Sequence, residues 1–168
     1  RLEGSKGLPA LLDTIDIFNG TDWIDKLHCV GEETDRKRIV QANSNDNIPI
    51  IFHGILGRQE INQIYEDSHF IILPSQSEGF PKVLAEASSF GCIPIVPPIP
   101  SIIFYINQKK GNGFILDDIT PQGIKKTIKN LQKIRNELAT FSANAMENTR
   151  QFSYEYYNHR IENDILSD

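Results

Sequence analysis

Two apolar runs limit what this chain can become. Phe70-Ile71-Ile72-Leu73, stopped by Pro74, and Cys92-Ile93-Pro94-Ile95-Val96, closed by Pro97-Pro98, have no polar alternate position. A strand that reads apolar throughout is covered on both faces, the habit of parallel strands flanked by helices. Between the two runs, the stretch from Phe80 or Pro81 to about Phe90 reads as a helix. The alternation extends in both directions. Residues 6 to about 18 read as a helix, with Leu8, Leu11, Leu12, Ile15 and Phe18 at helical spacing and Pro9 near the start. A short strand is expected over 26–30 and an exposed helix over 32–41. A turn-rich loop follows over 43–47, then a strand over 48–52 halted by His53-Gly54 and a short helix over 59–66. Pro97-Pro98-Ile99-Pro100 reads as a loop and 113–116 as a last short strand. Thr120-Pro121 is a cap residue followed by proline at the first helical position, so the rest reads as helical, with breaks near Thr140 and at Phe152-Ser153. The expected fold is α/β: a Rossmann-like, doubly wound, mostly parallel sheet with helices on both faces.

Such sheets bind ligands at the carboxyl ends of their strands, in the loops that lead into helices. Here those loops are 1–7, 31–32, 53–58, 74–80 and 97–101. The chemistry open to them is narrowed by composition. The chain has 168 residues, enough for one core, and 22 acidic against 17 basic residues, a net charge of -5. That balance gives no general attraction to nucleic acid, so an anionic ligand must be held by local donors. No apolar run approaches the roughly 20 residues that cross a bilayer, and no secretory signal opens the sequence, so a cytoplasmic protein without a transmembrane segment is expected. Asn19-Gly20-Thr21 matches a glycosylation sequon, read as chance in that setting. The two cysteines, Cys29 and Cys92, fall in apolar segments without metal-ligand spacing and read as buried and reduced. The four histidines (His28, His53, His69 and His159) also lack ligand spacing, and no D-x-D pattern occurs, so no metal is expected.

The most informative loop is Pro74-Ser75-Gln76-Ser77-Glu78-Gly79-Phe80-Pro81-Lys82-Val83, where a strand ends and a helix opens. The first turn of a helix leaves backbone N–H groups free at the positive end of the dipole, an arrangement suited to phosphate. Glu78 precedes that helix and Glu86 lies within it, and helical side chains lean back toward the N-terminus. Two carboxylates can then meet one ligand, as acceptors for sugar hydroxyls rather than for phosphate. The spacing alone equally fits an acid favoured by the helix dipole and a solvated surface residue. His53 reads either as a ligand contact or as a hydrogen-bonded structural residue. Lys82 and Arg58 read either as phosphate-facing cations or as exposed helix-start residues. Phe104 and Tyr105 read as core; Tyr154, Tyr156 and Tyr157 are candidates for an interface.

The run from Leu73-Pro74-Ser75 through Glu78-Gly79-Phe80-Pro81 to Leu84-Ala85-Glu86-Ala87, then Gly91-Cys92-Ile93-Pro94-Ile95-Val96, resembles the C-terminal domain of family 4 retaining glycosyltransferases of the GT-B fold (glycosyl transferases group 1). Glu78 and Glu86 match the family's E-x7-E motif. Arg1-Leu2 and Lys6-Gly7 resemble its GRL…KG loop, Phe52-His53-Gly54 its F-x-G segment, and Gly111-Asn112-Gly113 its G-x-N-G turn in altered order. Phe152-Ser153-Tyr154-Glu155 resembles the F-S-W-E run that opens its last helix. The resemblance covers nearly the whole chain in the right order.

It implies a nucleotide-sugar donor-binding domain over 1–168, partnered by an N-terminal acceptor domain of the same enzyme. The full-length enzyme would move sugar with retention, without metal, in polysaccharide or glycoconjugate biosynthesis; the domain alone would be inactive. Arg1 and Lys6 would hold the diphosphate, Glu86 the ribose hydroxyls, and Glu78 the transferred sugar. The N–H groups of Gly79, Phe80, Lys82 and Val83 would line the pyrophosphate, and His53, Gly54 and Ile55 would sit beside the base. No cofactor is implied; a UDP- or GDP-sugar is the substrate. A non-catalytic nucleotide-sugar-binding module and a nucleotide-sugar epimerase-like domain are the alternatives. A phosphoacceptor receiver domain lacks its acidic pair and its aspartate here. In a doubly wound order the strand expected before Arg1 would lie at the centre of the sheet.

Overall fold

The computed structural model describes residues 7–14, 23–32, 49–79 and 81–164. Among the described residues five parallel strands form two sheets. In the first, β1 (Leu27–Val30) pairs with β2 (Ile50–Gly54), Leu27 beside Ile50 and Cys29 beside Phe52, with a register shift between Cys29 and Val30. In the second, β3 (Phe70–Ile72) pairs with β4 (Ile93–Val96), and β4 with β5 (Phe114–Ile115). Helices α1 (Leu8–Leu12), α2 (Arg58–Glu66), α3 (Lys82–Ser89) and α4 (Pro100–Ile103) alternate with the strands. Helices α5 (Pro121–Lys133), α6 (Leu138–Asn148) and α7 (Tyr154–Asp164) close the described chain.

Side chains alternate across a strand, and β3, β4 and β5 put that alternation to use. Ile93, Ile95 and Phe114, with Phe70 and Ile72 against them, join a core with Leu8, Leu11 and Leu12 of α1, Ile124, Ile128 and Leu131 of α5, and Phe141 of α6. The intervening Val96, with Ile71 and Ile115, meets Leu84 of α3 and Ile102 of α4 on the other face. Helices therefore cover both faces, and β4 is buried at every position. Cys29 and Ile50 belong to the same cluster as Ile93 and Ile95, so the two sheets share one core. Burying an Ile or Leu of this kind stabilises the fold by about 1.5–3 kcal/mol.

The expected helices and strands within the described residues are present, although α1 ends at Leu12 with Asp13 as its cap where the helix was expected to run to about Phe18, and there are five further corrections. First, β3 is only half-buried, because among the described residues one of its edges pairs with no strand while the other pairs with β4. Second, β2 runs through His53 and Gly54 instead of stopping before them, since Gly31 N–H donates to the Gly54 carbonyl (2.8 Å) and carries the pairing to that point. Third, the loop expected over 97–100 ends one residue early: Pro100 opens α4 at a first-turn position, where its missing N–H costs nothing. Fourth, the break expected near Thr140 falls at Ile134–Leu138 as a short 3-10 turn over Arg135–Glu137. Fifth, Phe104 is 69% exposed rather than core; it follows the short α4, whose inward side is taken by Ile102. Thr120 caps α5 as expected, its hydroxyl accepting from Gly123 N–H at 3.2 Å. All but the first residue of the helix expected over 32–41, and the loop over 43–47, lie outside the described residues.

Candidate functional site

The carboxyl end of β3 passes into a loop that is tied from two sides. Gly7, left-handed at φ 74°, brings the start of α1 so close that a Cβ there would stand 2.0 Å from the Pro74 carbonyl oxygen. Pro74 and Ser75 are buried beneath that contact, and the Ser75 hydroxyl has no hydrogen-bond partner among the described residues. At the other end of the loop, the Ser101 hydroxyl in α4 donates to the carbonyls of Glu78 (3.0 Å) and Gly79 (3.2 Å). Two residues distant in sequence, Gly7 and Ser101, thus hold 74–79 in front of α3.

Helix α3 starts on Pro81 in extended conformation, with no side-chain cap. The Leu84 N–H donates back to the Pro81 carbonyl (3.0 Å), closing the first turn. An uncapped helix start presents its first N–H groups, here those of Lys82 and Val83, at the positive end of the dipole. Lys82 is exposed and Val83 half-buried, packed on the Leu84 core. Glu78 is half-buried at the head of the helix, and Glu86 is exposed one turn inside it. Burial, and then the neighbouring Glu86 carboxylate and Cys92 thiol, push the Tyr65 phenol up to about 12.

The second edge of the site is the end of β2. Gly54 takes φ 68°, with nothing among the described residues within 4 Å of where a Cβ would be, and Ile55 beyond it is 79% exposed. His53 is half-buried and its Nε2 lies 2.7 Å from Nδ1 of His28 on β1, with the rings stacked at 5.0 Å. Burial above all, then Lys26 and His53, hold the His28 imidazole below its ordinary pKa of 6.5, while Asp67 opposes them. The cysteines are not nucleophiles: burial pushes Cys29 up to about 12 and Cys92 to about 11, and the Cys92 thiol donates to the Tyr65 and Ser68 carbonyls.

Of the residues singled out in the sequence, Glu78, Gly79, Lys82, Val83 and Glu86 gather at the start of α3, and His53, Gly54 and Ile55 at the end of β2. Arg1, Lys6 and Phe80 lie outside the described residues. Sequence reasoning passed over His28, Ser75 and Ser101. A histidine on one expected strand and another directly closing the next was the available signal for the first. The other two depend on contacts that no local pattern encodes. No helix among the described residues is long and apolar enough to cross a membrane.

Residues 1–148 match the family model described as Glycosyl transferases group 1. A Haemophilus influenzae protein described as an uncharacterized glycosyltransferase is 30% identical over 122 residues, 68% of this chain and 31% of that protein. Among solved structures, Anabaena HepE in complex with UDP matches all of this chain and 47% of its own with a TM-score of 0.77 at 19% identity. Sucrose-phosphate synthase from Thermosynechococcus elongatus matches 96% of this chain and 42% of its own with a TM-score of 0.77 at 17% identity. The chain thus spans less than half the length of each of these proteins.

Proposed function

The chain belongs to the glycosyl transferases group 1 and has the Rossmann-like architecture of a GT-B glycosyltransferase, and from that premise we propose that it binds the donor, a nucleotide-sugar, for a retaining transfer that needs no metal. One observation carries the reading: the uncapped start of α3 directly follows a loop tied by Ser101, with Glu78 in that loop and Glu86 one turn inside the helix.

In this reading the diphosphate sits against the N–H groups at the head of α3, where the helix dipole stabilises negative charge. Breaking the bond from sugar to phosphate adds charge to the leaving diphosphate. Donors fixed in place ahead of that change stabilise the transition state more than the ground state. Arg1 and Lys6, which precede Gly7 in the sequence, supply the cationic share that a metal supplies elsewhere. Glu86 accepts from the ribose hydroxyls. Glu78 accepts from hydroxyls of the sugar and holds its anomeric carbon in place. His53 and Ile55 flank the base. The acceptor is held by a further, N-terminal domain of the whole enzyme, whose product is a polysaccharide or glycoconjugate.

Titration calorimetry of the chain with UDP, GDP and ADP, and with their sugars, tests the proposal. Binding of one nucleoside diphosphate that weakens in Glu86→Gln is expected. Absence of binding to all of them at millimolar concentration overturns it.

A further inference from the structure

The stacked pair of His28 and His53 does more than fill space between β1 and β2. Their facing nitrogens, His28 Nδ1 and His53 Nε2, stand 2.7 Å apart. At that distance one nitrogen carries the proton and the other accepts it; two N–H groups or two lone pairs would repel. Two arrangements are open to the neutral pair, and the far nitrogen of His28 discriminates between them. His28 Nε2 is buried and has no hydrogen-bond partner among the described residues. If His53 donated, His28 would carry its own proton on Nε2, an orphaned buried donor, which folded proteins rarely tolerate. If His28 donates from Nδ1, its Nε2 is left as a bare acceptor, and no N–H is buried unpaired.

From this geometry we infer that His28 is a positioning residue that fixes His53 in its Nδ1–H tautomer, a neutral hydrogen-bond donor at the end of β2. With Nε2 engaged by His28, Nδ1 is the nitrogen that His53 has left to offer. It lies beside left-handed Gly54 and exposed Ile55, in the stretch where the nucleotide is placed; to that extent the inference rests on the donor-binding reading. The recognised chemistry is an acceptor oxygen of a nucleoside diphosphate. The lock also opposes protonation of His28. An added proton would have to go to buried His28 Nε2 or between two nitrogens already at hydrogen-bond distance. Lys26 disfavours a cation there as well, whereas Asp67 favours one.

Long-range proton–nitrogen NMR of the histidine rings in the intact chain, above the range where imidazole titrates, reads the tautomers directly. Both His28 and His53 are expected in the Nδ1–H form. His28→Phe keeps a ring but removes the donor, and should return His53 to the Nε2–H form. His28→Asn places an amide donor where Nδ1 was, and should restore the Nδ1–H form of His53. UDP affinity is expected to fall roughly fivefold in His28→Phe and to recover in His28→Asn, the loss of one neutral hydrogen bond. The lock is overturned if His53 is Nε2–H in the unmodified protein, or if its tautomer is the same in His28→Phe. Should the tautomers behave as stated while UDP binds to none of the proteins, the lock stands and the donor-binding reading fails. Should Glu86→Gln weaken UDP while His28→Phe changes neither tautomer nor affinity, the lock fails and the reading stands.

Discussion

Gly7 and Pro74 touch through their backbones: a Cβ on Gly7 would lie 2.0 Å from the Pro74 carbonyl oxygen and 2.8 Å from its carbon. Neither partner can swing aside, because both atoms belong to main chain. Gly7 also holds φ 74°, where a side chain is strained whatever the space. Gly7→Ala is therefore expected to lower unfolding free energy by about 2 kcal/mol or more, from left-handed strain and displacement of the loop together. Gly79→Ala is the comparison, since nothing among the described residues lies within 4 Å of a Cβ there; its stability should stay within about 0.5 kcal/mol of the parent. Urea denaturation of both variants checks the pair, and equal losses would refute the argument.

Leu84 and Phe104 separate burial from hydrophobicity. Leu84 is 0% exposed between Val96, Ile102 and Ile106, whereas Phe104 is 69% exposed. Leu84→Ala should cost about 2–5 kcal/mol, the lost transfer energy plus the cavity it leaves. Phe104→Ala gives up contacts with the Tyr105 ring and the Lys110 ammonium at the surface and should cost less than about 1 kcal/mol. Thermal unfolding of the two variants orders them directly.

The contrast between Leu84 and Phe104 also shows what the sequence could and could not disclose. β4 was legible because an all-apolar run stopped by prolines has few other uses, and α5 because Thr120-Pro121 is a local start signal with a local cause. Phe104 misled because its apolar character says nothing about which way a four-residue helix presents it. Phe70–Ile72 misled because coverage of a strand depends on its neighbours, which are not adjacent in sequence. At the site, Glu78 and Glu86 could be singled out by spacing on one strand–loop–helix unit. The hydroxyl of Ser101 and the ring of His28 reach their partners 22 to 25 residues away. A sequence carries such pairings only through the completed fold.

Ser101 offers a test of the loop apart from the carboxylates it carries. Its hydroxyl bridges the carbonyls of Glu78 and Gly79 in an exposed position, so Ser101→Ala should cost less than about 1 kcal/mol of stability. The loop would lose its tie to α4 at the carbonyls of Glu78 and Gly79. If Glu78 faces the sugar, affinity for the nucleotide-sugar should fall more than affinity for the nucleoside diphosphate. Calorimetry with both ligands reads that difference. A uniform loss, or none, would argue against this role for the tie.

The environment of His28 makes a prediction about acid. Its pKa is lowered in the folded chain, chiefly by burial and next by Lys26 and His53, from an ordinary value of 6.5. Below that value the unfolded chain takes up a proton that the folded chain resists, so the unfolded state binds more protons and stability falls with falling pH. The contribution is complete at neutral pH, where both states hold His28 uncharged. It is lost as pH drops through 6.5 toward the lowered folded value. His28→Phe removes the titrating group, so its stability should decline less steeply than the parent's between about pH 7 and pH 5. His28→Asn should show the same shallow profile, although it restores the donor to His53. Denaturant midpoints measured across that range for the three proteins test the sign; parallel profiles would show that protonation of His28 is not linked to folding.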